Sequence, residues 1–179
     1  MTDKSLRLPA ILFFLVLLTD QVTKLIALKT LTPSVPVPFL GETVRWTLVY
    51  NVGGAFSTKL GGSTFYLIFS IIIFVCLVYY IIKQRHIRFM TLPLSIIAGG
   101  AAGNIIDRFR FGQVVDFIDC DIPDISIGSY HLDRWPIFNM ADSAISCGII
   151  VTIILIYYFA HKAKQLARQN IDASETKTP

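Results

Sequence analysis

Apolar residues along this chain fall into four long runs that are separated by polar segments. The runs extend from Leu8 to Leu28, Thr64 to Ile82, Thr91 to Ile106 and Ala141 to Ala160. A helix needs about 20 residues to cross the hydrocarbon core of a bilayer, and each run reaches or approaches that length. The pattern therefore predicts a membrane all-α fold with four transmembrane helices.

Composition and charge agree with this class and set the orientation. The 179 residues are 54% hydrophobic and 16% charged, with a mean hydropathy of +0.61. Because basic segments beside apolar runs stay in the cytoplasm, we expect both termini to be cytoplasmic, membrane lipid to be a partner and nucleic acid not to be one. The basic residues precede the first run, fill the second connection and follow the last run: Lys4, Arg7, Lys83, Arg85, Arg88, Lys162, Lys164 and Arg168.

The first connection, on the predicted outer side, contains a strand pattern. In residues 43–50 apolar side chains occupy alternate positions, which is typical of a β-strand and predicts a small extracytoplasmic β-sheet. Gly53 and Gly54 follow, where glycine allows a tight turn or the close approach of another backbone. At the other end of the chain, residues 165–179 are polar and are expected to form a disordered cytoplasmic tail.

Four polar residues lie near the predicted outer ends of the first and third spans. Asp20 and Lys24 are one helical turn apart and can form an ion pair, either to stabilise the bundle or to take part in chemistry. Asn104 and Arg108 are also one turn apart. The third run is only about 24 Å long as a helix, so we expect the chain to leave the helix at membrane depth and to carry Asp107, Arg108 and Asp116 into a recess.

Two aspartates are candidates for an acid/base pair. Asp116 lies in VVDFID beyond the third run, and Asp142 opens the fourth run in FNMADSAI. Ionisable groups at such a boundary are costly and need a structural partner or a chemical role. Asp142 has a structural alternative, because Asn139 is a good N-cap and an acidic residue three positions later can reach back to it. The residues alone leave capping and catalysis open.

The segment DFIDCDIPD is acidic but does not have the spacing of a metal site. It lacks the glycine and the terminal glutamate of a calcium loop, so we expect a solvated acidic loop, no metal and no cofactor.

Five blocks in order carry a resemblance over nearly the whole chain: TDQVTK at 19–24, YNVGGAFS at 50–57, GGAAGNIIDR at 99–108, VVDFID at 114–119 and FNMADSAI at 138–145. The chain resembles the bacterial lipoprotein signal peptidases, also called signal peptidase II. This resemblance implies one aspartic peptidase domain over residues 1–164, in the bacterial inner membrane with its active site at the outer face. The implied substrate is a diacylglyceryl-modified prolipoprotein, cleaved on the amino side of the lipidated cysteine.

The resemblance also implies roles for individual residues, and a monomer is expected. Asp116 and Asp142 match the family's catalytic aspartates, while Asp20 and Lys24 match its first-span polar pair. The segment CDIPDISIGSYHLDRW departs from the family pattern in length and acidity. The function classes that compete with a peptidase are a small transporter and a membrane scaffold. The residues that match family positions at or around the active site are Asn51, Gly53, Asn104, Arg108 and Asn139.

Overall fold

The computed structural model describes residues 4–53, 62–127 and 130–175, and in it four long helices carry a four-stranded sheet at one end. All four helices are long and apolar enough to cross a membrane. The predicted fold class, a membrane all-α bundle with a small β-sheet, is confirmed. After a short 3-10 turn at Lys4–Leu6, the helices are α1 (Arg7–Thr30), α2 (Gly62–Lys83), α3 (Arg88–Phe111) and α4 (Met140–Glu175).

Helix α3 is the centre of the bundle and packs against the other three helices. In the most apolar 18-residue stretch of α3, 61% of the residues are buried, whereas in the corresponding stretch of α2 only 6% are buried. Its buried positions are mainly small or polar, which lets neighbouring backbones approach closely. At Gly99, for example, an added Cβ would lie 2.7 Å from the carbonyl oxygen of Phe13 on α1. The small residues of α3 therefore set the close contact between α1 and α3.

The sheet is antiparallel, with its strands in the order β1-β2-β3-β4. The strand predicted over residues 43–50 is confirmed as β2, and it pairs with β3 in a register that places Val49 opposite Asp116. A bulge between Trp46 and Val49 interrupts the alternation of the two faces. The strands are β1 (Val37–Leu40), β2 (Val44–Asn51), β3 (Val114–Ile127) and β4 (Tyr130–Arg134).

The third helix is longer than its apolar run predicted. It has 24 residues, hence a length of about 36 Å, and it includes Asp107 and Arg108. The expectation that the chain leaves the helix before these residues is wrong, because polar neighbours inside the bundle satisfy Asp107 and let the helix continue. The helix ends at Gly112, which adopts φ 68° and donates its N–H to the carbonyl oxygen of Arg108.

The segment predicted to be a solvated acidic loop, residues 116–124, lies within strand β3. Asp119 on β3 is only 3% exposed and binds Arg45 at 2.9 Å and Arg134 at 2.6 Å. Burial raises the pKa of Asp119, but hydrogen bonds from Arg134, Thr47 and Arg45 outweigh it and hold the pKa below its ordinary value. The prediction of a solvated loop is therefore wrong, because ion pairs join Asp119 on β3 to Arg45 on β2 and to Arg134 on β4.

The polar segment after the fourth run is also more regular than predicted. Helix α4 continues to Glu175, so the prediction of a disordered tail is wrong for residues 165–175. Residues 176–179 lie outside the described part of the chain. The segment contains Gln165, Leu166, Ala167, Arg168 and Gln169, which are good helix formers and allow the preceding span to propagate.

Candidate active site

Strand β3 carries Asp116 into the interior, where the side chain is 1% exposed. Its two carboxylate oxygens have different partners. Oδ1 accepts a hydrogen bond from Asn139 Nδ2 at 2.6 Å, and Oδ2 accepts one from Asn51 Nδ2 at 3.1 Å. Asp116 is thus held from both sides, by the end of β2 and by the residue that precedes α4.

Asp142 lies in the first turn of α4 and makes the predicted capping contacts. Asn139 Oδ1 accepts the Asp142 N–H at 3.0 Å, and Asp142 Oδ2 accepts the Asn139 N–H at 3.2 Å. The capping prediction is confirmed. The cap occupies only Oδ2 of the Asp142 carboxylate, since Oδ1 accepts a hydrogen bond from Asn104 Nδ2 at 2.8 Å. Capping fixes the orientation of Asp142 and leaves it in contact with the polar centre of the bundle.

Two asparagines connect the two carboxylates. Asn139 donates from Nδ2 to Asp116 and also lies 3.1 Å from Asn104 Oδ1, while Asn104 donates from its own Nδ2 to Asp142. Lys24 donates to Asn104 Oδ1 at 2.8 Å. Because Asn104 Oδ1 accepts from Lys24, its amide nitrogen is oriented toward Asp142. Asn139 and Asn104 therefore hold both aspartates in one continuous hydrogen-bonded cluster.

Both aspartates line one cavity of about 280 Å³. Much of its wall is apolar and comes from the segment Trp135–Phe138, which joins β4 to α4, and from Ile145 on α4. Such a cavity has room for a peptide segment and a water molecule beside two carboxylates. The combination of an apolar wall with one buried and one half-buried carboxylate is suited to acid/base chemistry on a bound amide.

Arg108 and Gly53 lie together at the same site. Arg108 Nη2 donates to the carbonyl oxygen of Gly53 at 3.0 Å, and the Gly53 N–H donates to Asn51 Oδ1 at 2.9 Å. Arg108 and Asn51 both line the cavity. The structure therefore brings together the predicted site residues Asn51, Gly53, Asn104, Arg108, Asp116, Asn139 and Asp142. Residues 54–57, the last four of the block YNVGGAFS, lie outside the described residues.

The pKa of Asp116 differs from that of an ordinary surface carboxylate because of its electrostatic environment. The pKa of Asp116 is raised to about 7, first by burial and second by the nearby carboxylate of Asp142. Hydrogen bonds from Asn51 and Asn139 and the charge of Lys24 oppose this shift. Two close carboxylates in a poorly solvated site favour sharing one proton.

The predicted pair of Asp20 and Lys24 forms, with 2.9 Å between Lys24 Nζ and Asp20 Oδ2. Lys24 also contacts Asp107 Oδ2 at 2.8 Å, which the sequence did not indicate because Asp107 was expected outside the helix. Gln21 donates to both carboxylates as well. The one available signal was spacing, since Asp107 lies three residues after Asn104 and so on a neighbouring part of the same helical face. In the described part of the chain, no group of three or more His, Cys, Asp or Glu residues is placed to hold a metal ion.

Comparison with known proteins agrees with this geometry. The family model of signal peptidase (SPase) II matches residues 12–159. The lipoprotein signal peptidase of Thermodesulfovibrio yellowstonii is 41% identical over 145 residues, which cover 80% of this chain and 90% of that protein. The lipoprotein signal peptidase of Staphylococcus aureus is 38% identical over 142 residues, 79% of this chain and 82% of the relative.

A solved structure shows the same fold. It is a bacterial membrane enzyme determined by the in meso method, 36% identical to this chain, with a TM-score of 0.71 over 84% of this chain and 87% of the other. The family model and the relatives each cover most of the chain, and the solved structure has the same bundle. We conclude that this chain belongs to the signal peptidase II family of membrane peptidases.

Proposed function

We propose that this protein is an aspartic endopeptidase that removes the signal peptide from diacylglyceryl-modified prolipoproteins and cleaves on the amino side of the lipidated cysteine. One observation carries the proposal. Asp116 from β3 and Asp142 from α4 are joined through Asn139 and Asn104 and line the same cavity. Family membership supports the choice of substrate.

The two aspartates divide the acid and base roles between them. Asp116 carries the shared proton, which its pKa of about 7 supports. Asp142 is the ionised base, and its position in the first turn of α4 supports this role, because the helix dipole and the Asn139 N–H stabilise a negative charge there.

The reaction then proceeds without a covalent enzyme intermediate. Asp142 removes a proton from a water molecule as the water oxygen attacks the scissile carbonyl carbon, and Asp116 donates its proton to the carbonyl oxygen. The tetrahedral intermediate collapses when the C–N bond breaks and the amine of the cysteine takes the proton that Asp142 holds. The carbonyl oxygen returns its proton to Asp116, and the products are a free carboxyl group and a free amine.

Neighbouring side chains position the substrate. Arg108 is placed to bind peptide carbonyls or the polar ester region of the lipid, and Asn51 and Gly53 present polar groups along the end of β2. Ile145 and the Trp135–Phe138 segment provide an apolar wall for the peptide side chains. The acyl chains remain between the helices or in the surrounding lipid.

The proposal includes a topology. Basic residues flank the end of the bundle opposite the sheet, where α1 begins at Arg7, α2 ends at Lys83 and α3 begins at Arg88. This charge pattern supports cytoplasmic termini and an active site at the outer face of the bacterial inner membrane. Residues 1–164 form the peptidase domain, residues 165–179 form a cytoplasmic segment, and one monomer contains the complete site.

The function is tested by incubating the purified protein with a diacylglyceryl-modified precursor and with the same precursor lacking the lipid. We expect cleavage of the lipidated precursor alone, with a new amino terminus at the lipidated cysteine, measured by mass spectrometry. Binding energy from the lipid is expected to place the scissile bond, so the unlipidated peptide should react far more slowly.

Equal cleavage of both peptides would contradict the proposed specificity and indicate a general peptidase. The absence of cleavage, together with ion or solute flux in reconstituted vesicles, would instead favour a transporter. Asp121→Asn is the matched control, because the exposed carboxylate of Asp121 on β3 forms a surface ion pair with Arg134. This variant should cleave the precursor like the wild type.

A further inference from the structure

The buried charges of α1 and α3 form a three-residue bridge. Lys24 Nζ lies 2.9 Å from Asp20 Oδ2 and 2.8 Å from Asp107 Oδ2, and these side chains are at most 2% exposed. Taking three charged groups out of water is costly, and packing alone does not require it. The other hydrogen bonds that the carboxylates of the Asp20–Lys24–Asp107 bridge accept therefore explain why these charges are buried.

Each carboxylate of the bridge accepts a backbone N–H from outside its own helix. Asp20 Oδ1 accepts the N–H of Ala141 at 3.0 Å, and Asp107 Oδ2 accepts the N–H of Val115 at 3.1 Å. Ala141 is the residue immediately before Asp142, and Val115 is the residue immediately before Asp116. The two ends of the bridge thus bind the main chain one residue ahead of each reacting aspartate.

We propose that the Asp20–Lys24–Asp107 bridge sets the spacing between Asp116 and Asp142, with Asp107 as a positioning residue for the strand and Asp20 for the helix. The inference rests on the proposed function and assigns these residues a task within it. In the described part of the chain, none of the three side chains forms a hydrogen bond or ion pair with Asp116 or Asp142; Lys24 donates to Asn104, which in turn donates to Asp142. They act through the backbone, through that asparagine and, for Lys24, through its charge.

The packing around the bridge supports a fixed position for Asp20. Gly103 on α3 faces it so closely that an added Cβ would overlap the carboxylate of Asp20. Gln21 donates to Asp20 Oδ2 at 3.1 Å and to Asp107 Oδ1 at 3.2 Å, which ties the two carboxylates together a second time. Ala141 and Val115 are both fully buried, so their N–H groups depend on these protein acceptors.

The main test compares Asp107→Asn with Asp119→Asn on the lipidated precursor. Asparagine at 107 loses the ion pair with Lys24 and weakens the hydrogen bond that the Val115 N–H donates. We therefore expect kcat to fall by about 100-fold, which is the effect of misplacing a reacting group by about 1 Å, while KM changes little. Asp119 is a matched control, a buried ion-paired carboxylate on the same strand as Asp116. Its variant should lose thermal stability but keep kcat close to the wild-type value.

A pH profile of kcat distinguishes a change in the spacing of Asp116 and Asp142 from the loss of the negative charge at Asp107. The charged groups around the two aspartates are Lys24 and Asp20 on α1 and Asp107 and Arg108 on α3. Removing one negative charge at Asp107 alone would shift both limbs of a bell-shaped profile in parallel. A wider spacing weakens the coupling of Asp116 with Asp142, so we expect the two limbs to move closer together.

Asp107→Glu is the second variant and keeps the charge of the bridge. If position matters, glutamate should also lower kcat, because its longer side chain displaces Val115. Wild-type kcat in Asp107→Asn or in Asp107→Glu, or a purely parallel shift of the limbs, would overturn the inference while the wild-type protein still cleaves. A wild-type protein that cleaves nothing would overturn the proposed function, and with it the spacing that the bridge is inferred to set.

Discussion

Asp116→Asn and Asp142→Asn should each lower the turnover of a lipidated precursor by about 1,000-fold or more, because each removes one half of the acid/base pair. Asparagine has nearly the same shape as aspartate, but it neither removes a proton from water nor donates one to a carbonyl oxygen. Both variants should still accumulate in the membrane. The measurement is the initial rate of precursor cleavage by equal amounts of purified protein.

Helix capping is the main alternative explanation for a loss of activity at Asp142. Asparagine keeps a side-chain oxygen that can accept the Asn139 N–H, so Asp142→Asn should retain most of the cap. Thermal unfolding of the variant should therefore remain close to that of the wild type. Turnover within tenfold of the wild type in either variant would contradict the assignment of the catalytic pair.

Replacement of Asn139 by leucine should have the second largest effect. Asn139 is 0% exposed, and its amide donates to Asp116 and approaches Asn104, while its Oδ1 accepts the Asp142 N–H. Loss of one such donor beside a reacting charge is expected to lower kcat by about 100-fold or more. Leaving these buried polar partners unpaired should also lower the free energy of unfolding by about 1–3 kcal/mol.

Asn139→Ser separates these two effects. Serine is a good N-cap, so the variant should unfold at a temperature closer to that of the wild type, but its side chain is too short to reach Asp116 and Asn104. We expect kcat to remain low. Recovery of wild-type kcat by serine would mean that Asn139 matters for capping α4 and does not orient the two aspartates.

The helical part of the fold was predictable because hydrophobicity governs membrane insertion. The four apolar runs fall within the four helices, although α3 is longer at both ends. The extension of α3 beyond Ile106 could not be predicted from hydropathy, because the charge of Asp107 is neutralised by Lys24 on another helix. Lys24 lies 83 positions earlier in the sequence (107 minus 24). Pairing over that distance is a property of the packed bundle.

The sheet was predictable only in part. Strand β2 has an apolar alternation, whereas β1 is exposed at all four positions and has no buried face to produce a pattern. Strand β3 contains Pro123 and several acidic residues, which disfavour a strand by local propensity. Its structure depends on pairing with β2 and β4 and on the ion pairs of Asp119 with Arg45 and Arg134.

At the site, the motifs identified the residues and the fold supplied their connections. The reciprocal cap of Asn139 and Asp142 was predictable, because its members are three residues apart. The contacts of Asn104 with Asp142 and of Asn139 with Asp116 join segments 38 and 23 positions apart, and no local pattern encodes them.

The pH dependence of kcat/KM for the lipidated precursor most directly tests whether Asp116 and Asp142 act as a pair with one proton. Asp116 has a raised pKa of about 7, so its proton is present below that pH and is lost as the pH rises through it. Above this pH both carboxylates are charged and the acid is missing. In sufficiently acid solution both are neutral and the base is missing.

We therefore predict a bell-shaped profile whose alkaline limb falls near the pKa of about 7 given by the environment of Asp116. In Asp116→Asn and Asp142→Asn no comparable bell should remain above background. A wild-type rate that stays level, or rises, from about pH 6 to about pH 9 would contradict a mechanism in which these two aspartates share one catalytic proton.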